Sequence, residues 1–465
     1  MRDEAARKRP ETGWGKAGGQ HRLMRRSLII GPIAMWVAMV ADLPALELST
    51  LNSQSAFSYD SSTLNNPYLR TNNFYGFDRM DSDDAGGLAG LFGDIELPLI
   101  TNLGISPFYN DNVLYNNDNR KSAFGSNFAP TLILPFGSRK IYTVFSYSLN
   151  ANVYEGLSYA NTTSNFLNST TSVEFDHRNH LTLSARGTPY AQDALGTYFS
   201  QGNVANTLKT PNTWTGYGFD ANYRYGSDTS EGNILLNFSM NDRLYQNNPE
   251  YTRYRSLNNY TFGGAFLWRA LPKTQFLLET DATILDYFYP NSAGNILSGD
   301  LYRAYTGVTW EATAKTRIVV KGGYQVRTYT DPHYQTQSGP GFQAMLRWQP
   351  AARDTVWLEA MNALNEAYIG SSTAINTQNY SLNWGHSWLE RFRTQLTGTY
   401  VNQDYTNSSI QYQTYYGSIS GIYTIQQGMW LDLRYNYSNR AANGSQNSQY
   451  NYDQNLLLFS YRMMF

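Results

Sequence analysis

The final nine residues constrain this chain more than any other segment. Leu457, Phe459, Tyr461, Met463 and Phe465 alternate with Leu458, Ser460, Arg462 and Met464, and the sequence stops on Phe465. Successive side chains of a strand point to opposite faces, so one face here is wholly apolar and finishes on an aromatic. An exposed apolar edge is a liability for a water-soluble domain. A buried last strand of a sandwich tolerates the pattern, and so does a closing strand that faces lipid.

Composition favours the lipid-facing reading. The 465 residues are too many for one ordinary soluble core but fit one large barrel. There are 38 Tyr, 22 Phe and 10 Trp, yet mean hydropathy is -0.49 and only 15% of residues are charged. The aromatics come with Asn, Gln, Ser, Thr and Gly rather than with an apolar core. That mixture suits a sheet with one face in lipid, one in water, and aromatic girdles at both interfaces. The absence of Cys excludes disulfides, thiolate catalysis and zinc-thiolate sites.

The amino-terminal region divides into three parts. Residues 1–23 are polar, basic and aperiodic, and read as an upstream extension with Met24 as the start. Residues 24–45 have the layout of a secretory signal peptide: Met24-Arg25-Arg26, an apolar run from Leu28 to Ala41, and a cleavage site near Leu43-Pro44-Ala45. The apolar run falls short of the roughly 20 residues of a spanning helix. Loss of 1–45 removes eight Arg/Lys and four Asp/Glu, taking the formal charge from -1 to -5. A mildly acidic chain is not a nucleic-acid binder by bulk charge. Residues 46–99, with a Gly-rich piece from Asp84 to Gly93, read as a periplasmic extension or small plug.

From residue 100 to 465 the pattern becomes periodic. Ile234, Leu236, Phe238 and Met240 oppose Asn233, Leu235, Asn237 and Ser239; Met429, Leu431, Leu433, Tyr435 and Tyr437 oppose Trp430, Asp432, Arg434, Asn436 and Ser438. Each segment is about ten residues long, the spanning length of a tilted strand. Short turns, such as Leu271–Lys273 and Gln426–Gly428, alternate with longer polar loops, such as Tyr190–Thr210 and Tyr289–Gly299. The fold class is therefore all-β: a transmembrane antiparallel up-and-down barrel of about 18 strands, with 16 as the alternative. The first strand is expected near Asn102–Tyr115 and the last over Asn451–Phe465. Short periplasmic turns and longer outer loops are the expected asymmetry, and barrels of 16 to 18 strands leave an aqueous channel.

Two segments resemble known proteins. The ending on Leu457, Phe459, Tyr461, Met463 and Phe465 is similar to the terminal signal that outer-membrane barrels present to the barrel-assembly machinery of Gram-negative bacteria. Ser106-Pro107-Phe108-Tyr109-Asn110-Asp111-Asn112-Val113, followed by Lys121-Ser122-Ala123-Phe124 and Pro130, resembles the opening of a β-barrel porin family of Gram-negative bacteria. Members of that family include outer-membrane barrels found with exopolysaccharide biosynthesis systems. The resemblance implies an outer-membrane barrel and a part in polysaccharide export, with export machinery as a partner. It supplies no catalytic residues.

If the apolar registers face lipid, the lumen receives Arg186, Arg224, Arg269, Arg303, Arg317, Lys321, Arg327, Arg347, Arg391, Arg393 and Arg434, against Glu174, Asp220, Glu279, Asp281, Glu311, Glu359 and Asp432. An excess of basic groups favours anion passage; cross-strand pairing that stiffens the wall is the competing reading. Lumenal aromatics such as Tyr142, Tyr154, Tyr305, Trp357, Tyr416 and Trp430 would either stack on sugar rings or pack the wall. His177 and His180 flank a tight turn and lack further fixed metal ligands. His386-Ser387 lacks the converging third group of a hydrolase. The expectation is a passive outer-membrane pore for exopolysaccharide, with no catalytic residue, cofactor, metal or nucleic-acid partner. A general or anion-preferring diffusion porin and a structural or adhesive surface barrel are the alternatives.

Overall fold

The structure is a computed structural model that describes residues 99–465, apart from 139, 196–209, 228–229, 292–293, 367–371, 407 and 444–450. The extension, signal and plug readings of residues 1–98 lie outside the described residues. The strand segments are β1 (Ile100–Asn110), β2 (Ala123–Phe128), β3 (Thr131–Gly137), β4 (Ile141–Tyr154), β5 (Thr162–Asp176), β6 (Asn179–Asp193), β7 (Asn212–Tyr225), β8 (Gly232–Tyr245), β9 (Leu257–Leu271), β10 (Thr274–Tyr287), β11 (Gly299–Thr313), β12 (Thr316–Arg327), β13 (Gln337–Trp348), β14 (Asp354–Glu366), β15 (Ala374–Leu389), β16 (Phe392–Tyr405), β17 (Gln411–Gln426), β18 (Met429–Ala442) and β19 (Tyr452–Met464). They form one antiparallel sheet in which β1 pairs with β19, from Asn102↔Met464 to Asn110↔Leu456. Closure leaves no free edge, which lipid demands because it offers the backbone no hydrogen bonds.

Nineteen segments make eighteen spans. β2 runs between β1 and β4, and β3 continues along the same path beside β4 and the first residues of β1. The interruption falls at Ala129-Pro130, because Pro130 has no N–H to give the ladder. The Ala129 amide donates instead to Gly104 O at 2.8 Å, and Pro130 O accepts from the Leu149 amide at 3.0 Å. β1 stops at Asn110 rather than running on to Tyr115. Asn side chains compete with the ladder there: Asn110 Oδ1 accepts from the Asn112 amide at 2.9 Å, and Asn112 Oδ1 from the Asn116 amide at 3.0 Å. Residues 111–122 thus form a long loop, and eight short turns alternate with nine longer connections.

Alternation decides which face meets lipid. On β8, Ile234 and Leu236 are exposed while Asn233 and Ser239 are buried. Leu236, Leu278, Val320, Leu382, Leu433 and Leu457 form the outer aliphatic belt. Exposed Trp268, Trp310, Trp348 and Trp388 ring its short-turn rim, and Tyr217, Tyr302, Tyr324 and Tyr415 lie toward the long loops. Amphipathic rings at both edges of an apolar belt match the two headgroup layers of a bilayer. At the seam of closure the Phe465 amide donates to Thr101 O at 3.0 Å and the Thr101 amide to Phe465 O at 2.8 Å. Outside, Phe459 and Phe465 face lipid; on the inner face Leu456, Leu458 and Ser460 are buried.

Candidate pore lining

The sheet register assembles the inner wall into rows of side chains that run around the barrel. One row is Gly263↔Asp281↔Arg303↔Gln325↔Gly339, and the next toward the short turns is Ala265↔Glu279↔Tyr305↔Gly323↔Gly341. Within them Arg303 Nε donates to Asp281 Oδ1 at 2.9 Å, and Lys321 Nζ from the following row donates to Glu279 at 2.8 Å. Arg186 pairs with Asp220 at 2.8 Å, Arg434 with Asp432 at 2.7 Å, and Arg327 lies 3.7 Å from Glu366. Five of the basic residues singled out from the sequence therefore have acidic partners. The other six, Arg224, Arg269, Arg317, Arg347, Arg391 and Arg393, all lie in or beside short turns, as does Glu311. Arg317 and Arg347 are opposite one another in register, and Arg347 is opposite Trp357. Glu359 is opposite Met345 and Ser381. Between these charges the wall is amide and hydroxyl: Asn127 bonds Asn150 and Asn152, Thr261 bonds Thr283, and Tyr416 Oη donates to Asn436.

Among the inner aromatics, Tyr305 faces Lys321, whose Nζ stands 5.3 Å from its ring centre. Tyr154 packs edge-on to Phe108 at 5.3 Å and joins an apolar cluster with Val113, Leu114, Ala160 and Leu195. That cluster draws its residues from three successive long connections, with Tyr251 of a fourth packed against it. A second cluster, Leu257, Leu285, Tyr287, Leu297, Leu301 and Leu364, brings Leu297 of the long connection after β10 back onto the inner wall, where Arg327 donates to Leu297 O at 2.7 Å. Within that loop system Asp331 joins two connections: it accepts from the amides of His333 at 3.0 Å and Ile296 at 3.2 Å. The His333 amide, then its ring, holds the Asp331 carboxyl below the usual carboxylate range.

The wall also contains a break that hydrophobic periodicity does not reveal. The β13–β14 ladder runs only from Phe342↔Asn362 to Trp348↔Val356, whereas β12–β13 and β14–β15 continue to the outer ends of those strands. Gln325, with no exposed surface, bridges the break. Its Oε1 accepts from the Leu364 amide at 3.1 Å, its Nε2 donates to Pro340 O at 3.3 Å, and Asn362 Nδ2 donates to the same carbonyl at 2.7 Å. Gln325 and Tyr305 lie over Gly341, where a Cβ would come within 2.6 Å of Gln325 Nε2 and of Tyr305 Oη. Leu364, outward by strict alternation, turns into the inner apolar cluster. The buried Arg255–Asp193 pair was likewise invisible in the sequence. It links a loop residue to the end of β6, with Trp214 Nε1 donating to Asp193 at 3.0 Å.

The two histidine candidates separate. Asp176 accepts from the Arg178 and Asn179 amides and so builds the turn that carries His177 and His180. Among the described residues no group of three or more His, Asp or Glu is arranged to hold a metal. His386 Nδ1 lies 2.7 Å from Asp354 Oδ1, but strand alternation sends the adjacent Ser387 to the opposite face.

A closed eighteen-span barrel, belted with aliphatic and aromatic side chains outside and lined with polar groups inside, is an outer-membrane β-barrel. Residues 289–465 match the family described as Putative beta-barrel porin 2. The match takes in β11 to β19 and does not include the 106–130 segment. No curated protein sequence matches the chain. Solved structures with a similar course include a mutant ferric enterobactin receptor, PfeA, of Pseudomonas aeruginosa in complex with enterobactin (TM-score 0.43, 8% identity, covering 78% of this chain and 81% of that one). OpdK of Pseudomonas aeruginosa with vanillate gives TM-score 0.43 and 9% identity over 79% of this chain and 99% of that one. The FrpB iron transporter of Neisseria meningitidis gives 0.41 and 10% over 82% and 83%.

Proposed function

We propose that this barrel is a passive conduit through which a hydroxyl-rich polymer, an exopolysaccharide, leaves the periplasm. The observation that carries the reading is the chemistry of the inner wall at mid-height, where Asn, Ser, Thr, Gln and Tyr groups surround charges held in mutual pairs. A wall of that kind offers exchangeable hydrogen bonds to sugar hydroxyls without a single strong anchor, which a sliding chain requires. No chemical step, cofactor or metal enters the reading; the driving force is a gradient or an inner-membrane machine, and insertion falls to the barrel-assembly machinery. Single-channel recordings with neutral glycan oligomers test it. Stepwise, length-dependent blockades supports the conduit. Steady conductance indifferent to glycan points to a small-solute diffusion porin, and absence of conductance to a structural barrel.

A further inference from the structure

The described charged side chains sort along the barrel axis. In the short turns and the four strand residues on either side of them, including the end of β19, there are twelve basic and seven acidic side chains. In the long connections and their four flanking strand residues the proportions invert, to seven basic and twelve acidic. Between the two zones stand four of each: Arg186, Arg303, Lys321 and Arg434 with Asp220, Glu279, Asp281 and Glu359. The described barrel residues are thus neutral in sum and strongly polar from end to end.

Short turns belong to the periplasmic side. From this polarity, and resting on the conduit reading above, we infer that the transported glycan is acidic and that the rims set its direction. The basic periplasmic rim captures an anionic chain, the neutral middle lets it slide, and the acidic outer rim repels re-entry. Spans of 11 to 16 residues, tilted, place the centres of the two rims about 30 Å apart. This is several Debye lengths of about 8 Å at physiological salt, so each rim acts on a passing polymer separately. Charge lining a confined mouth also raises the local concentration of its counter-ion. Arg317 and Arg347, opposite one another beside Lys315 and Arg353, concentrate the positive charge on one arc of the rim.

The test uses the full chain in planar bilayers. A single cysteine, Gln335→Cys in the 328–336 loop, is labelled from one side to establish orientation, since the chain has no other Cys. Oligogalacturonate and neutral dextran of equal length are then added to either side. The inference expects oligogalacturonate to block from the short-turn side at a concentration at least threefold lower than from the loop side. It also expects that preference to fade in 1 M salt, and Arg317→Gln with Arg347→Gln to reduce it. Equal blocking from both sides, or equal blocking by dextran and oligogalacturonate, overturns it. An open pore blocked by both glycans alike sinks only the polarity argument, whereas a pore blocked by neither sinks the conduit reading itself. Side-independent block together with capture of an acidic periplasmic protein would reassign the basic rim to protein docking and likewise overturn the inference.

Discussion

Replacing Gln325 by alanine tests whether the break between β13 and β14 is closed by one side chain. The variant removes an acceptor 3.1 Å from the Leu364 amide and a donor 3.3 Å from Pro340 O. Pro340 O keeps the Asn362 amide at 2.7 Å, so its loss is small. The Leu364 N–H has no ladder partner in β13 and becomes a buried orphan, at a cost of about 1–3 kcal/mol. Adding about 1 kcal/mol for the second hydrogen bond gives an expected destabilisation of about 2–4 kcal/mol. Gln325→Glu should cost more, because a carboxylate still accepts from Leu364 but confronts Pro340 O and Asn362 O with a third acceptor. The assay is reversible urea unfolding in lipid vesicles, followed by tryptophan fluorescence, with Asn362→Ala completing a double-mutant cycle. Gln325→Ala unfolding within about 0.5 kcal/mol of the parent, a typical surface-substitution effect, would refute the bridging role.

Asp281→Ala leaves Arg303 buried without its 2.9 Å partner; breaking a buried pair costs about 3–5 kcal/mol, and the reversal potential under a salt gradient should move toward anion selectivity. Deleting Phe465 removes both backbone bonds to Thr101 and should lower the yield of folded, heat-modifiable barrel on gels while leaving the conductance of the surviving pores unchanged. The depressed Asp331 carboxyl stabilises its loops above the ordinary aspartate range and loses that contribution as pH falls through its own lower value. Spin labels at Gln335→Cys should therefore report release of the 328–336 loop only below about pH 4, and release near pH 6 would contradict the assignment.

Much of the barrel is legible in one dimension because a lipid-facing strand has no freedom about its outward side chains. The alternation of Ile234 with Asn233, and of Leu433 with Asp432, states which residues meet lipid before any strand is paired. The final apolar register ending on Phe465 does the same for closure. Loop lengths distinguish the two ends, and so the six basic residues beside short turns were locatable on one rim. Other features depend on what a side chain meets across several strands. Pro130 interrupts the ladder, yet β3 resumes beyond it because β4 offers an unbroken partner to both β2 and β3. Asn110 and Asn112 shortened β1 by bonding their own backbone, a local choice that periodicity over the same residues does not register.

The sequence by itself determined which face of most strands meets lipid, including the outward register of the last strand, since that is a period-two property of a chain with lipid on one side, and it brought the span count to about 18 or 16. Which charges neutralise one another, where the wall parts between β13 and β14, and how the long connections fold back onto Leu285 and Leu301 were decided by the tertiary structure. Those outcomes depend on register between strands far apart in sequence, and a shift of one residue would have sent Arg303 and Asp281 to different faces.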